Sequence, residues 1–216
     1  MKIKICGLTN LDEALAAAEA GADLLGFNFY PPSPRFIEPQ VCREMVAELR
    51  RWGCRSIMVG VFVNAPPDRV RQTLQFCGLD LAQLSGDEPA GHVEALEGRA
   101  FKALRPRTLQ AAREMAMRYA RPSAPALLVD AHHPALFGGT GLTGNWPAAG
   151  ALAATYPLLL AGGLNPDNVV QAIHEVRPWG VDVASGVESS PGCKDVAKMR
   201  AFISSARQAQ KEISIC

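Results

Sequence analysis

Lys2-Ile-Lys-Ile-Cys-Gly-Leu-Thr9 is a short alternating run that ends on a cysteine, a glycine and a threonine. Asn10 then reads as an N-cap for the Ala-, Leu- and Glu-rich stretch 11–20, and Gly21 stops it. Asp23 to Phe29 follows as a nearly continuous apolar run, the pattern of a strand covered on both faces. One strand, one turn, one helix and a second buried strand thus occupy the first 29 residues. A thiol at such a strand end is either inert packing or a reactive group aimed into a pocket. The sequence favours the pocket.

The same beat continues along the chain. Helices are predicted over 39–51, 67–76, 89–96, 108–119, 146–154, 166–174 and 195–211, and strands over 56–63, 79–84, 100–104, 126–130, 157–161 and 180–184. Asn64-Ala-Pro-Pro67 reads as the cap and opening of the third helix, and Pro157 stands at the first position of its strand, where a missing donor is tolerated. Residues 131–145 read as a long loop. Eight apolar strands, each followed by a helix, form a parallel-sheet pattern. At 216 residues the expected fold is α/β, a single-domain (β/α)8 TIM barrel over 1–216, because closure leaves no edge strand. A doubly wound open sheet is the runner-up.

Composition narrows the function classes. A formal net charge of +1 argues against a nucleic-acid or anionic-membrane surface. No apolar run reaches the length of a membrane span, and no apolar signal region follows Met1, so a cytoplasmic protein is expected. Six cysteines without Cys-x-x-Cys spacing suit a reducing compartment; Cys42, Cys54 and Cys77 read as small buried hydrophobes. His92-Val-Glu94 has no Cys-x-x-Cys to complete a zinc site, and no His-Glu-x-x-His is present, so no metal is expected. The sequence leaves a monomer or a homodimer open.

In a barrel every strand aims its C-terminal end at one face, where active sites sit. That collects Cys6, Asn28, Arg35, Asn64, Ser85, Arg105, Asp130, Gly162-Gly163 and Ser185-Gly186 into one ring. Gly138-Gly-Thr-Gly141, Gly162-Gly163 and Ser185-Gly186 let backbone N–H groups approach an anion, so Gly139, Gly141, Gly162, Gly163, Ser185 and Gly186 are candidate phosphate binders; the alternative is that these glycines serve tight turns only. Gly139-Thr-Gly-Leu-Thr-Gly144 matches a dinucleotide fingerprint formally, but it begins nine residues after Asp130 rather than at the strand end. Asp130 either caps a turn or pairs with a cation, or is a general acid in a partly dry pocket. Asp182 lies within the eighth strand; facing inward it needs a hydroxyl or amine partner and is a candidate ligand contact. Glu188 reads as solvated or capping. Arg35 ends the stiff Tyr30-Pro-Pro-Ser-Pro-Arg35 loop, which suits a guanidinium that grips a carboxylate or phosphate.

Lys4-Ile-Cys-Gly-Leu-Thr9, Gly26-Phe-x-Phe-Tyr-Pro31 with Ser33-Pro-Arg35, Val59-Gly-Val-Phe-Val-Asn64, Gly138-Gly-Thr-Gly141, Ala161-Gly-Gly-Leu-Asn-Pro166 and Val181-Asp-Val-x-Ser-Gly-Val-Glu188 span nearly the whole chain. Together they resemble the phosphoribosylanthranilate isomerase family. The resemblance implies a cofactor-free Amadori rearrangement of a phosphorylated aminosugar in tryptophan biosynthesis. It further implies Asp130 as general acid, Cys6 as general base, Arg35 as anchor of the anthranilate carboxylate and the glycine loops as phosphate site. An unperturbed thiol is only about 3% thiolate at pH 7, so Cys6 either is helped toward thiolate by a neighbouring cation or works from that small fraction. Lys4, two residues before Cys6 on the same strand face, is the candidate. Gly7 is expected to spare room for the sugar.

Three departures stand out from the family pattern. Ser85 replaces the usual histidine of Gln-Leu-His-Gly, Leu142 stands where a lysine is common, and Gly144-Asn145-Trp146 replaces Phe-Asp-Trp. Ser85 remains a candidate substrate contact, and Asn145 can still cap the sixth helix. The competing readings are the related isomerase of histidine biosynthesis, which has an aspartate where Cys6 stands, a non-catalytic phospho-ligand binder, and a flavin-binding barrel.

Overall fold

The computed structural model of the chain describes residues 1–130 and 146–215. Eight parallel strands, β1 (Lys2–Cys6), β2 (Leu24–Asn28), β3 (Ile57–Phe62), β4 (Leu81–Leu84), β5 (Ala100–Leu104), β6 (Leu127–Asp130), β7 (Leu158–Ala161) and β8 (Gly180–Val183), close into a barrel in chain order. Closure is made by β1 against β8, with Lys4 beside Asp182 in the register. The helices α1 (Leu11–Glu19), α2 (Pro39–Arg51), α3 (Pro67–Cys77), α4 (Ala90–Glu94), α5 (Leu109–Tyr119), α6 (Trp146–Ala153), α7 (Val169–Val176) and α8 (Val196–Ile215) follow the strands one for one. This is the expected (β/α)8 architecture.

Two apolar bodies hold it together, as the strand period of two demands. Leu24, Val59, Phe101, Ala103, Leu128, Leu159 and Ala161 fill the barrel interior, and the alternate strand residues pack outward against the helices. A packed interior leaves room for chemistry only at the strand ends. Among the described residues no helix is long and apolar enough to cross a membrane.

The caps explain most of the boundaries. Asn10 accepts from Glu13 N at 2.9 Å and Thr108 from Ala111 N at 3.1 Å, each satisfying a donor that the helix itself leaves open. Asn64 differs from its expected role. Its backbone is left-handed (φ 54°), its Oδ1 accepts from Asp87 N at 2.7 Å, and it ties the β3 loop to the β4 loop, while α3 begins after Pro66 without a side-chain cap. α7 starts later than predicted because Asn165 and Asn168 exchange side chain–backbone bonds that hold 165–168 as a turn. A short antiparallel pair, β9 (Glu188–Ser190) and β10 (Cys193–Lys194), follows β8 and was not foreseen. Strands of two or three residues carry too little periodicity to be read. Of the three cysteines expected in the core, Cys42 and Cys77 are buried and Cys54 is only partly so.

Candidate active site

The C-terminal strand ends of β6, β7 and β8 enclose a cleft of about 280 Å³ lined by Asp130, Gly162, Gly163, Asp182 and Ser185 together with their neighbours. Five of the sequence-predicted residues therefore meet in one place. A larger hollow of about 690 Å³ lies at the opposite end, among Lys2, Asp23, Trp52 and Ser56. There Asp23 is held by two cations, accepting from Lys2 at 3.0 Å and from Arg207 at 2.6 Å. The smaller cleft is the one that gathers the sequence-predicted residues.

Each wall of that cleft has a local cause. Gly162 and Gly163 take φ of +100° and +66°, values that favour glycine, and turn the chain out of β7. Gly186 has a packing role of its own. A Cβ there would run into the carbonyl of Leu164, so its smallness lets the β7 and β8 loops pack on one another. It is absent from the cleft lining. Gly139 and Gly141, the other two predicted phosphate residues, lie outside the described residues, as do Leu142, Gly144 and Asn145.

Cys6 ends β1, next to β8, and is 9% exposed. It does not line the cleft itself but joins it through a buried ion pair. Lys4 Nζ donates to Asp182 Oδ1 at 2.7 Å, and the lysine is fully buried. Asp182 thus has the amine partner that an inward aspartate requires, and the protein supplies it. Gly26 on β2 makes the space: a Cβ there would stand 2.9 Å from Cys6 Sγ and 3.1 Å from Lys4 Nζ, tighter than real contacts allow. Burial alone would push the lysine down. The Asp182 carboxylate, with the Cys6 sulfur behind it, outweighs that and holds Lys4 above the usual lysine range. The cation expected beside the thiol is therefore present.

Asp130 ends β6 with its side chain about one-third exposed, and Arg105 Nε stands 3.7 Å from its Oδ2. The two cleft carboxylates differ in setting: Asp182 is paired with a buried ammonium, whereas Asp130 lies partly open beside an exposed guanidinium. Ser85 Oγ accepts from Gln83 Nε2 at 3.1 Å, which leaves its hydroxyl proton for another acceptor.

Arg35 and Glu188 correct the sequence reading most. Arg35 Nε and Nη2 bond Glu188 Oε1 and Oε2, each at 2.7 Å, and Glu188 is buried rather than solvated or capping. Lys194, whose side chain is fully buried, donates to the same Oε1 at 2.7 Å. Gly7 is also reassigned. It has φ +77°, and a Cβ there would lie 2.6 Å from Arg35 Cδ, so it makes way for the arginine stem. The sequence reading misjudges Glu188 and misses Lys194 because their partners are 153 residues and 6 residues away across a hairpin too short to show periodicity.

A family model described as N-(5'phosphoribosyl)anthranilate (PRA) isomerase matches residues 3–205. The N-(5'-phosphoribosyl)anthranilate isomerase of Geobacter sulfurreducens is 47% identical over 207 residues, covering 96% of this chain and 98% of that protein. The crystal structure of phosphoribosyl anthranilate isomerase from Thermotoga maritima superposes with a TM-score of 0.85 at 36% identity, covering 96% of this chain and 99% of that one. A crystal structure of phosphoribosyl anthranilate isomerase in complex with reduced 1-(o-carboxyphenylamino)-1-deoxyribulose 5-phosphate superposes with a TM-score of 0.82 at 34% identity, again covering 96% and 99%. With its closed barrel, its cleft at the strand ends and these matches over nearly its whole length, the chain belongs to the N-(5'-phosphoribosyl)anthranilate isomerase family.

Proposed function

We propose that the chain converts N-(5-phospho-β-D-ribosyl)anthranilate to 1-(2-carboxyphenylamino)-1-deoxy-D-ribulose 5-phosphate, an Amadori rearrangement in tryptophan biosynthesis, with Asp130 as general acid and Cys6 as general base. Asp130 gives its proton to the furanose ring oxygen as the C1–O bond breaks, and the nitrogen lone pair forms the protonated Schiff base. The Cys6 thiolate then removes the proton on C2, and the C–H electrons form the enolamine. Tautomerisation of the enolamine gives the ketone. Atoms and electrons balance without an external oxidant or reductant.

The observation that carries this reading is the cleft itself: Asp130 at the end of β6 shares it with Asp182, Gly162, Gly163 and Ser185, and Asp182 leads through the buried Lys4 to the Cys6 sulfur. Phosphate falls to Gly162, Gly163 and Ser185, which share the cleft with Asp130, and Gly186 supports them by letting their loops close up. Ser85 offers a hydroxyl and Asp182 a carboxylate to the sugar, and Arg35 takes the anthranilate carboxylate. Purified protein given N-(5-phosphoribosyl)anthranilate is expected to consume it, seen as the loss of anthranilate-type fluorescence. No loss above the spontaneous rate would overturn the assignment.

Lys4 stabilises the thiolate in this scheme. The variant Lys4→Met is expected to slow alkylation of Cys6 by iodoacetamide at pH 7 by about threefold or more and to move its half-maximal pH upward. An unchanged rate and midpoint would remove Lys4 from the reaction. Because the substitution leaves Asp182 buried without its cation, it should also cost about 3–5 kcal/mol of stability, so the rates are compared well below the unfolding transition.

A further inference from the structure

Arg35, Glu188 and Lys194 form a cluster of two cations on one carboxylate. Glu188 Oε1 receives both Arg35 Nε and Lys194 Nζ at 2.7 Å, and Oε2 receives Arg35 Nη2 at 2.7 Å. Lys194 is anchored further by Ala184 O at 3.0 Å, and Lys198 Nζ reaches the backbone carbonyl of Glu188 at 2.9 Å. The side chains of Glu188 and Lys194 are 5% and 0% exposed, that of Arg35 23%. The three side chains sum to one net positive charge in a mostly dry place, and the Lys198 ammonium and the Glu13 carboxylate, which accepts from Lys194 N at 2.8 Å, add one charge of each sign at its border; an unmatched buried charge is costly unless an anion arrives.

Geometry says which edge of Arg35 that anion meets. A guanidinium offers five N–H donors in a plane. Glu188 occupies the Nε/Nη2 edge, which leaves the Nη1/Nη2 edge for a second bidentate acceptor. Glu188 itself is fixed by β9 and by Lys194, and the stem of Arg35 is fixed against Gly7. The guanidinium is therefore aimed by the protein before any substrate binds.

We propose that Glu188 is a positioning residue that selects for a carboxylate on the substrate's aromatic amine: it turns the free edge of Arg35 toward that carboxylate, while Lys194 leaves the cluster one positive charge in excess. The proposal rests on the reading of Arg35 as the carboxylate anchor. Preorganising one planar fork spares the rotamer entropy that a free arginine loses on binding. Discrimination between an anthranilate and an aniline substrate then resides in Glu188 as much as in the arginine that touches it.

The experiment compares kcat/KM for N-(5-phosphoribosyl)anthranilate and for its des-carboxy analogue N-(5-phosphoribosyl)aniline, with product measured by chromatography, in the wild type, Glu188→Gln, Glu188→Asp and Arg35→Lys. The preference for the carboxylated substrate is expected to fall about 10- to 100-fold in Glu188→Gln, mainly through a raised KM for that substrate. Glu188→Asp keeps the charge but shortens the reach, and it should lose part of the same preference. It decides the matter if Glu188→Gln fails to fold. A merely structural role would lower both substrates alike and leave the preference where it was. An unchanged preference in the Glu188 variants, with a loss in Arg35→Lys, overturns the positioning role and leaves the anchor standing. An unchanged preference in Arg35→Lys overturns the anchor itself.

Discussion

Replacing Cys6 by alanine is expected to lower kcat by about 10²–10⁴-fold, the usual worth of a positioned general base, with KM for N-(5-phosphoribosyl)anthranilate changed little. In the proposed mechanism the C2 proton of the Schiff base leaves for a specific acceptor, the Cys6 sulfur that ends β1 beside a buried ammonium. Alanine removes the acceptor and little else. Gly26 already leaves space on that side of the residue, and a lost sulfur atom at the edge of the interior should cost about 1 kcal/mol of stability. Cys6→Ser sharpens the test, because it restores a polar atom of similar reach whose proton is far harder to remove. Its rate should stay within about an order of magnitude of the alanine variant. Wild-type turnover in either variant would show that another group takes the C2 proton. Because a base forms no bond to carbon, mass spectrometry during turnover should find Cys6 unmodified.

Asp130→Asn carries the other large effect, again about 10²–10⁴-fold in kcat. Asparagine keeps the shape of the residue and its reach toward the ring oxygen but cannot deliver a proton to a developing alkoxide as a carboxylic acid does. The loss should appear before any C2 chemistry, since the ring must open first. Substrate deuterated at C2 is therefore expected to show no more isotope effect in this variant than in the wild type, whereas a slow Cys6→Ser variant should show a larger one. The control is the second cleft carboxylate. Asp182 is tied to the fully buried Lys4 at 2.7 Å, whereas Asp130 ends β6 with its side chain about one-third exposed. Asp130→Asn with wild-type turnover would reassign the acid.

Both predictions rest on residues that were legible before any coordinates. Cys6 and Asp130 each close an apolar strand, and a barrel sends every strand end to one face. The periodic strands and helices fall close to their expected bounds, α2 at Pro39–Arg51 without any shift, because its Pro at the first position and its apolar stripe are both local signals. Local signals also explain the misses. Asn64 carries the composition of a helix cap, yet its side chain is claimed by Asp87 N, a group 23 residues away. α7 starts later than its pattern predicts because Asn165 and Asn168 compete with the helix for their own backbone. Gly7 has Arg35 as its neighbour in space, a contact that no local signal announces.

What the sequence alone determined is the barrel and which residues stand on its ring of strand ends, since hydrophobic period and turn residues are properties of short stretches of chain. Only the tertiary structure decided which charges answer one another: that Lys4 belongs to Asp182 across the closing seam of β1 and β8, and that Glu188 is no surface carboxylate but the counterion of Arg35 and Lys194. The reason is physical. A buried charge is stable only with a partner at hydrogen-bond distance, and here the partners of Lys4 and Arg35 lie 178 and 153 residues away, brought near by closure of the barrel and the short hairpin that follows it.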